Sequence, residues 1–233
     1  MILKKASRKA INYACKYFHY AKSVPNVGMA YSVFERNVWC GVICYGVGAT
    51  NNIGKPYNLK NGQCIELLRI ALNGKQSNVS KPLSISLKLL KKDAPLCRLL
   101  VSYADSEQDH FGIIYQATNW YYTGYSTDTN IILNGQRYHR RSLGSKYGTC
   151  SIVKLREKGF RAESIKTEPK HKYIYPLDKN LVSLCEGLSK PYPNAPVAQG
   201  SAPDVQSGDG VRSHPGAQIR QTWLTASDIL KKQ

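Results

Sequence analysis

The architecture is set by residues 64–105, CIELLRIALNGKQSNVSKPLSISLKLLKKDAPLCRLLVSYAD. Its first run, residues 64–72, is apolar and short, and an Asn-Gly pair at 73–74 follows it. Periodicity alone leaves helix and strand open for so short a run, whereas the length and the turn pair favour a strand. A second apolar run, residues 96–104, ends at Asp105 and also predicts a strand.

Between these two strands the pattern changes to that of a helix. Leu83, Leu87 and Leu90 fall on one helical face, and Pro82 stands in the first turn of a helix predicted over residues 79–92. Ser80 can serve as the N-cap of this helix. Residues 64–105 therefore predict a strand–helix–strand unit, which is the centre of an α/β sheet.

Working outward from this unit, the upstream sequence predicts a helix and a hairpin. Residues 4–22 carry apolar residues at helical spacing with a basic face, and this helix ends near Ser23. Residues 29–35 and 38–47 alternate as strands around a tight turn at 36–37.

Downstream, a short helix is predicted over residues 111–120, and shorter strands follow near 121–125, 129–133, 136–140 and 170–176. In the first 125 residues the order helix, hairpin, loop, strand, helix, strand, helix is the order expected of a GNAT-like acyltransferase. We therefore predict an α/β, GNAT-like acyltransferase fold with a mixed central sheet flanked by helices.

The composition changes at Asn194. Gly, Ser, Pro, Ala and Gln dominate residues 194–218, with no apolar periodicity. We predict a GNAT-like domain over residues 1–193 and a disordered tail over residues 194–233.

The net charge of the chain indicates what kind of partner it binds. The chain has 33 Lys and Arg against 15 Asp and Glu, a net charge of +18, which favours a polyanion such as DNA. Three basic stretches are predicted to contact the phosphates of double-stranded DNA. They are RYHRR with Arg137, Tyr138, Arg140 and Arg141, residues 154–161 with Lys154 and Arg156, and residues 170–175, which begin at Lys170. The alternative for each stretch is an ordinary solvated basic face.

Other features argue for a soluble protein that acts inside a cell. No apolar run approaches the roughly 20 residues that span a bilayer, so we expect no membrane partner, and the basic N-terminus lacks the hydrophobic segment of a secretory signal. The seven cysteines are odd in number and include no CxxC pair, as expected of reduced thiols packed in a core.

Candidate site residues are polar residues held in apolar surroundings. Glu66 and Arg69 lie inside the run 64–72, where a charge is costly unless it is paired or used. As strand residues three apart, they are expected on opposite faces. Asp105 follows a strand at the carboxyl edge where ligands collect in open α/β sheets.

Ser80, Tyr115, His19 and Tyr20 complete the candidates. Each also has an ordinary structural explanation: an N-cap for Ser80, a core position for Tyr115 and a helix end for His19. Asp105 has one too, as the cap of the turn after it.

Coenzyme A is not favoured by the sequence. Acyltransferases of the GNAT type hold its pyrophosphate on a glycine-rich turn at the start of the central helix, where backbone N–H groups stabilise the anion. The equivalent stretch here, NGKQSNVS at residues 73–80, contains only Gly74 and lacks that pattern. Acetyl-CoA is therefore doubtful as the donor, and the donor stays unknown.

Several of these segments resemble the phage Mom family of DNA-modification proteins. They are HYAKSVP (19–25), ELLRIAL (66–72), LLVSYADSEQDHFGIIYQATNWYYTG (99–124) and HKYIYPLDK (171–179). The resemblance spans most of residues 11–193, and its long central block is specific.

The resemblance implies a phage-encoded enzyme of the host cytoplasm that converts adenine in double-stranded DNA to N6-carbamoylmethyladenine and so protects phage DNA from restriction. It implies an iron requirement as well, and important roles for the residues at 19, 20, 69, 80, 105 and 115.

The reaction that the resemblance implies suggests a role for each candidate residue. Asp105 suits a general base, with Glu66 as a further acidic group. Arg69 and Ser80 suit the binding of a donor carboxylate, and Tyr115 suits a hydrogen bond to the base or stacking on it. His19 and Tyr20 are the better place for iron, which Asp105 or Glu66 could complete.

Two other functions stay open from sequence. A GNAT-like N-acetyltransferase would need coenzyme A. A non-catalytic basic DNA-binding protein would leave Glu66, Arg69 and Asp105 without a purpose.

Overall fold

The computed structural model describes residues 1–48, 52–126, 129–166 and 168–193, with side chains from 139–142 and 145 outside the description. The predicted tail, residues 194–233, also lies outside the described residues. The strands are β1 (Ile2–Lys5), β2 (Met29–Glu35), β3 (Val38–Gly46), β4 (Cys64–Leu72), β5 (Leu99–Ala104), β6 (Tyr121–Ser126), β7 (Thr129–Leu133), β8 (Gln136–His139), β9 (Ala162–Lys166) and β10 (Lys170–Pro176). The helices are α1 (Arg8–Tyr17), α2 (Ser80–Asp93), α3 (Ile113–Gln116), α4 (Arg140–Tyr147), α5 (Ile152–Glu157) and α6 (Val182–Leu188).

Within these residues the main sheet has seven strands in the order β1-β2-β3-β4-β5-β10-β6. Neighbouring strands are antiparallel except β4 and β5, which are parallel. One face packs on α2 through Leu83, Leu87 and Leu90, and the other packs on α1 through Ile11 and Cys15. The predicted α/β class, with a mixed central sheet flanked by helices, is confirmed.

Local sequence explains the central elements. Arg36 and Asn37 both have positive φ, 50° and 63°, as the two central residues of a tight hairpin turn require. The apolar run 64–72 is the strand β4, as predicted. The central helix starts one residue later than predicted, and Asn78 rather than Ser80 accepts a first-turn hydrogen bond, from Lys81 N at 2.9 Å.

The N-terminal prediction was wrong in its bounds. Residues 4–22 were expected to form one helix, but Ile2–Lys5 pairs with β2 as an edge strand. Ser7 then caps α1 by accepting a hydrogen bond from Ala10 N at 3.2 Å, and the helix ends at Tyr17. Because the helix ends there, the residues after Tyr17 can extend to the carboxyl end of β5, where Tyr20 contacts Asp105.

The parallel pair at the centre of the sheet opens after three residues. Cys64, Ile65 and Glu66 pair with Leu99–Val101, and the ladder stops there although both strands continue. Ser102 Oγ lies 3.0 Å from the Leu67 carbonyl oxygen at the point where the strands part. This opening, which we call the split, exposes the carboxyl halves of β4 and β5 to the space between them.

A second, three-stranded sheet in the order β8-β7-β9 lies between β6 and β10 in the chain. Together with α4 and α5 it forms what we call the insertion (residues 129–166). It has its own buried core of Ile131, Leu133, Leu143, Leu155 and Ala162. No helix among the described residues is long and apolar enough to cross a membrane.

Candidate functional site

Tyr20 and Asp105, 85 residues apart in sequence, meet at the carboxyl end of β5. Tyr20 Oη donates a hydrogen bond to Asp105 Oδ2 at 3.1 Å. Lys170 Nζ lies 3.9 Å from the same oxygen, and only 15% of the Asp105 side chain is exposed. Asp105 Oδ1 accepts from Glu107 N at 3.3 Å and so caps the turn Ser106–Gln108. Asp105 is thus a carboxylate held in place by two hydrogen-bond donors and a nearby ammonium group, and it is placed where it can act as a proton acceptor.

His19 and Tyr20 form a stacked pair beside this carboxylate. Their ring centroids are 4.3 Å apart with an interplanar angle of 30°, and the rings of Tyr20 and His110 form a T-shaped contact with centroids 5.6 Å apart. Ala21 N donates to His19 Nδ1 at 3.1 Å. Burial first, and then the charge of Arg69, lower the pKa of His19 to about 4. The ring is therefore neutral at pH 7, with its proton assigned to Nε2 because Nδ1 accepts.

Arg69 has a guanidinium that the protein satisfies only in part. Nη1 donates to the Leu68 carbonyl oxygen at 2.7 Å, whereas the buried Nε has no hydrogen-bond partner among the described residues. Its charge acts on the pKa values of His19, Tyr20 and Tyr115, so all three lie within its electrostatic reach. A guanidinium that is only partly paired within the described residues, beside the split, suits a carboxylate or carbonyl of a ligand.

The expectation that Glu66 and Arg69 lie on opposite faces was wrong. β4 pairs Leu67 with Tyr45 but Arg69 with Cys44, so Leu68 is an extra residue in a β-bulge. A bulge resets the alternation of side chains. Consequently Glu66 and Arg69 both lie on the α1 face of the sheet.

Tyr115 approaches the split from the other side. Its hydroxyl lies 2.8 Å from Ser102 Oγ, and burial raises its pKa to about 12, to which the nearby Glu66 charge adds. Gly112, just before α3, has a φ of +72°, and a Cβ there would lie 2.3 Å from the Tyr173 ring. A glycine is therefore required to start the short helix that carries Tyr115.

Ser80 is the predicted site residue that the structure does not join to the others. It is the first, half-buried residue of α2, and no hydrogen bond within the described part of the chain links it to Arg69 or Asp105. In the loop before Ser80, two backbone N–H groups already donate hydrogen bonds to side chains of the protein. Lys75 N donates to Asn73 Oδ1 at 3.0 Å and Ser77 N donates to Glu35 Oε2 at 2.8 Å. These N–H groups are not free to cradle a pyrophosphate, and the Glu35 carboxylate would repel one.

The residues predicted to bind DNA lie on the insertion. Arg137 Nη2 contacts Glu107 Oε1 at 2.9 Å, and the Tyr138 hydroxyl donates to Gln136 Oε1 at 2.6 Å. Lys154 is exposed on α5, and Arg156 on the same helix donates to the Ala162 carbonyl oxygen at 2.9 Å. The side chains of Arg140 and Arg141, at the start of α4, lie outside the described residues.

An iron site at His19 and Tyr20 does not fit the side chains as they are arranged. The Tyr20 hydroxyl is a donor to Asp105, and burial together with that carboxylate raises its pKa, which opposes a phenolate ligand. His19 uses Nδ1 as an acceptor, which leaves the proton on Nε2. In the described residues, no group of three His, Cys, Asp or Glu side chains is placed to hold a metal ion. The iron requirement implied by the resemblance stays a prediction.

Sequence reasoning missed three contributors: Lys170, Ser102 and His110. Lys170 belongs to a basic stretch that suggested phosphate contacts, but its ammonium lies beside Asp105. Ser102 is a single polar residue in the apolar strand β5, which was a usable signal. His110 gave no signal, because only the turn after Asp105 brings it to Tyr20.

Comparison with known proteins agrees with the resemblance noted from sequence. The model of the Mom protein family matches residues 1–194. Methylcarbamoylase mom of Escherichia phage Mu is 29% identical over 167 residues, which cover 69% of each chain. Among solved structures, the aminoglycoside 6′-N-acetyltransferase from Enterococcus faecium aligns with a TM-score of 0.41 at 8% identity, over 76% of this chain and 97% of that chain. An aminoglycoside 6′-acetyltransferase type Ii aligns with a TM-score of 0.39 at 10% identity, over the same shares. Since the family match extends over nearly all of the described residues, the chain belongs to the Mom protein family.

Proposed function

We propose that this protein is a transferase that converts adenine in double-stranded DNA to N6-carbamoylmethyladenine and thereby protects phage DNA from host restriction. Membership of the Mom family and similarity to a methylcarbamoylase of phage Mu support a DNA-modifying activity. The observation that carries the proposal is the hydrogen-bonded pair of Tyr20 and Asp105 at the split, within reach of the Arg69 guanidinium.

The reaction needs a base because the adenine N6 lone pair is delocalised into the ring. A new bond forms between N6 and the methylene carbon of a carbamoylmethyl donor, and the leaving group of the donor departs with its bonding electrons. One N6 proton must then be taken up. Asp105 is the acceptor that the site offers, either directly or through the Tyr20 hydroxyl that already bonds to it.

Arg69 and Glu66 occupy the α1 face of the split, where a donor can approach the base. The unsatisfied Nε of Arg69 supports binding of a donor carbonyl or carboxylate. Ser80, at the start of α2, is not part of this proposed donor site, because no hydrogen bond in the described residues joins it to Arg69. Tyr115, anchored beside Ser102, lies opposite and is suited to bounding the pocket.

The target base must leave the helix to reach this site. Extrusion of a nucleotide costs roughly a few kcal/mol and is usually offset by stacking in the pocket. The stacked rings of His19 and Tyr20 supply an aromatic surface next to Asp105, and 46% of Tyr20 is exposed. A neutral His19 with a proton on Nε2 can donate a hydrogen bond to a ring nitrogen of adenine.

Two alternatives fit fewer observations. An N-acetyltransferase would require a pyrophosphate cradle, whereas the N–H groups of Lys75 and Ser77 are engaged by side chains. A non-catalytic DNA-binding protein would have no need of the Tyr20–Asp105 pair.

Iron remains a separate question from this proposal. Metal analysis of the purified protein beside His19→Gln would test the ligand prediction, because a ligand role requires that the substitution lower the iron content.

The proposed function is tested by mass spectrometry of nucleosides from plasmid DNA of cells that express the protein, with Asp105→Ala as the control. We expect a deoxyadenosine in which a carbamoylmethyl group replaces one hydrogen, and its absence in the control. Unmodified DNA from a folded, well-expressed protein would contradict the proposal.

A further inference from the structure

The insertion concentrates positive charge in a small part of the chain. Residues 129–166 contain nine Lys and Arg against two Glu, a net charge of +7 out of the +18 of the whole protein. The core of the insertion is built from apolar residues, so its basic residues can lie on its surface. Lys146, Lys154, Lys158, Arg161 and Lys166 are all exposed.

The insertion also leaves the main sheet beside the candidate catalytic carboxylate. Strand β6, before it, ends at Ser126, and β10, after it, begins at Lys170; these two residues are paired in the sheet. Lys170 is in turn 3.9 Å from Asp105. A ligand held on this part of the insertion is therefore close to Asp105.

Arg137 links the insertion to the turn that Asp105 caps. Its Nη2 contacts Glu107 Oε1 at 2.9 Å, with 46% and 40% of the two side chains exposed. With the Asn130 amide turned so that its oxygen faces Arg137, that oxygen accepts from Nε at 2.9 Å. A guanidinium fixed in this way and facing a carboxylate has the geometry that binds a phosphate.

We propose that the insertion binds the phosphate backbone of duplex DNA, and that Arg137 exchanges Glu107 for a DNA phosphate when the duplex binds. This rests on the proposed function, which makes duplex DNA the substrate, and it adds which surface holds the duplex. Glu107 occupies the phosphate position in the free protein. Because Glu107 is two residues after Asp105, the exchange sets the duplex next to the catalytic carboxylate.

The proposed exchange predicts opposite changes in duplex affinity when Arg137 and Glu107 are substituted. Arg137→Ala removes one phosphate contact, so it should weaken duplex binding about five- to tenfold at 0.1 M salt and reduce the slope of log K against log salt by about 1. Glu107→Gln removes the competitor and should tighten binding about two- to fivefold, the strength expected of an exposed ion pair. The slope should stay unchanged, because Arg137 still contacts the phosphate.

The insertion offers a matched control in the pair of Arg161 and Glu163, 3.7 Å apart and 87% and 61% exposed. Glu163→Gln removes the same charge from an ion pair within the insertion, so it reports the general electrostatic effect, which we expect to be less than twofold. In the Arg137→Ala background, Glu107→Gln should tighten binding no more than Glu163→Gln does, because the competition is gone.

The experiment is fluorescence anisotropy of the full chain with a labelled duplex from 50 to 200 mM salt, with circular dichroism to establish that each variant is folded. An unchanged affinity and slope in Arg137→Ala, or a Glu107→Gln effect no larger than that of Glu163→Gln, would overturn the proposal. So would binding of structured RNA or anionic vesicles in place of duplex DNA. If the wild type modifies plasmid adenine while Arg137 proves irrelevant to binding, only this inference fails. If the plasmid stays unmodified although the insertion binds duplex, the proposed function fails instead.

Discussion

Replacing Asp105 with Asn removes the proposed proton acceptor and keeps most of the contacts that hold the side chain. The amide oxygen can still accept from Glu107 N, which lies 3.3 Å from Oδ1. The amide nitrogen then takes the place of Oδ2, 3.1 Å from Tyr20 Oη, and the hydroxyl can turn to accept from it. What is lost is the attraction to Lys170 at 3.9 Å, which is worth about 0.2–1 kcal/mol for a pair with a partly exposed lysine. The variant should therefore fold, because a typical domain is stable by about 5–15 kcal/mol.

The effect on the reaction should be much larger than the effect on stability. Loss of a positioned general base lowers rates by about 10²- to 10⁴-fold. Duplex affinity should stay the same or tighten slightly, because the substitution removes one negative charge from a basic protein. If Asp105 had a structural role instead, Asp105→Asn would lower stability and activity together.

The assay is the modified fraction of adenine in plasmid DNA at matched protein levels, followed over time after induction, with duplex affinity and urea unfolding measured on purified protein. Asp109→Asn is the matched control. It makes the same charge change four residues away, at an exposed position with a φ of 53° that Asn tolerates. If Asp105→Asn modifies DNA within threefold of the wild type, Asp105 is not the base and the reasoning fails.

Three further substitutions test other parts of the account. Tyr20→Phe keeps the ring stacked on His19 but removes the donor to Asp105; we expect modification to slow at least tenfold in the same plasmid assay, with unchanged unfolding by urea. Arg69→Lys loses the planar fork that suits a donor carboxylate and should lower modification at least tenfold, whereas near wild-type activity would remove Arg69 from donor binding. Leu143 lies in the buried core of the insertion, so Leu143→Ala should lower the free energy of unfolding by about 2–5 kcal/mol. Val153→Ala, at an exposed position, is the control and should lower it by less than about 0.5 kcal/mol. Equal effects of the two substitutions would show that the insertion lacks a packed core.

Sequence patterns predicted the centre of the fold because local rules decide it. The turn pair after the run 64–72, the leucine repeat of α2 and the Arg36-Asn37 turn each depend on neighbouring residues only. The edge strand β1 was missed because its basic residues continue the apparent helical pattern of α1, and only pairing with β2 makes Ile2–Lys5 a strand. The α4, α5 and β9 elements of the insertion were not assigned for a similar reason, since their apolar residues are few and meet only in the folded core.

The site shows the same division between local and tertiary causes. Asp105 was predictable from its position at the end of an apolar strand, and Arg69 from the cost of a charge in such a strand. The shared face of Glu66 and Arg69 was not, because the bulge at Leu68 depends on the register with β3. The contact between Tyr20 and Asp105 spans 85 residues and follows only from the early end of α1.

The measurement that bears most directly on the central claim is the fragment mass of the modified base in plasmid DNA from cells that express the wild-type chain. We expect an adenine base that carries one carbamoylmethyl group, with the other three bases unchanged. An acetylated adenine, a modification on another base, or DNA that stays unmodified despite abundant folded protein would contradict it.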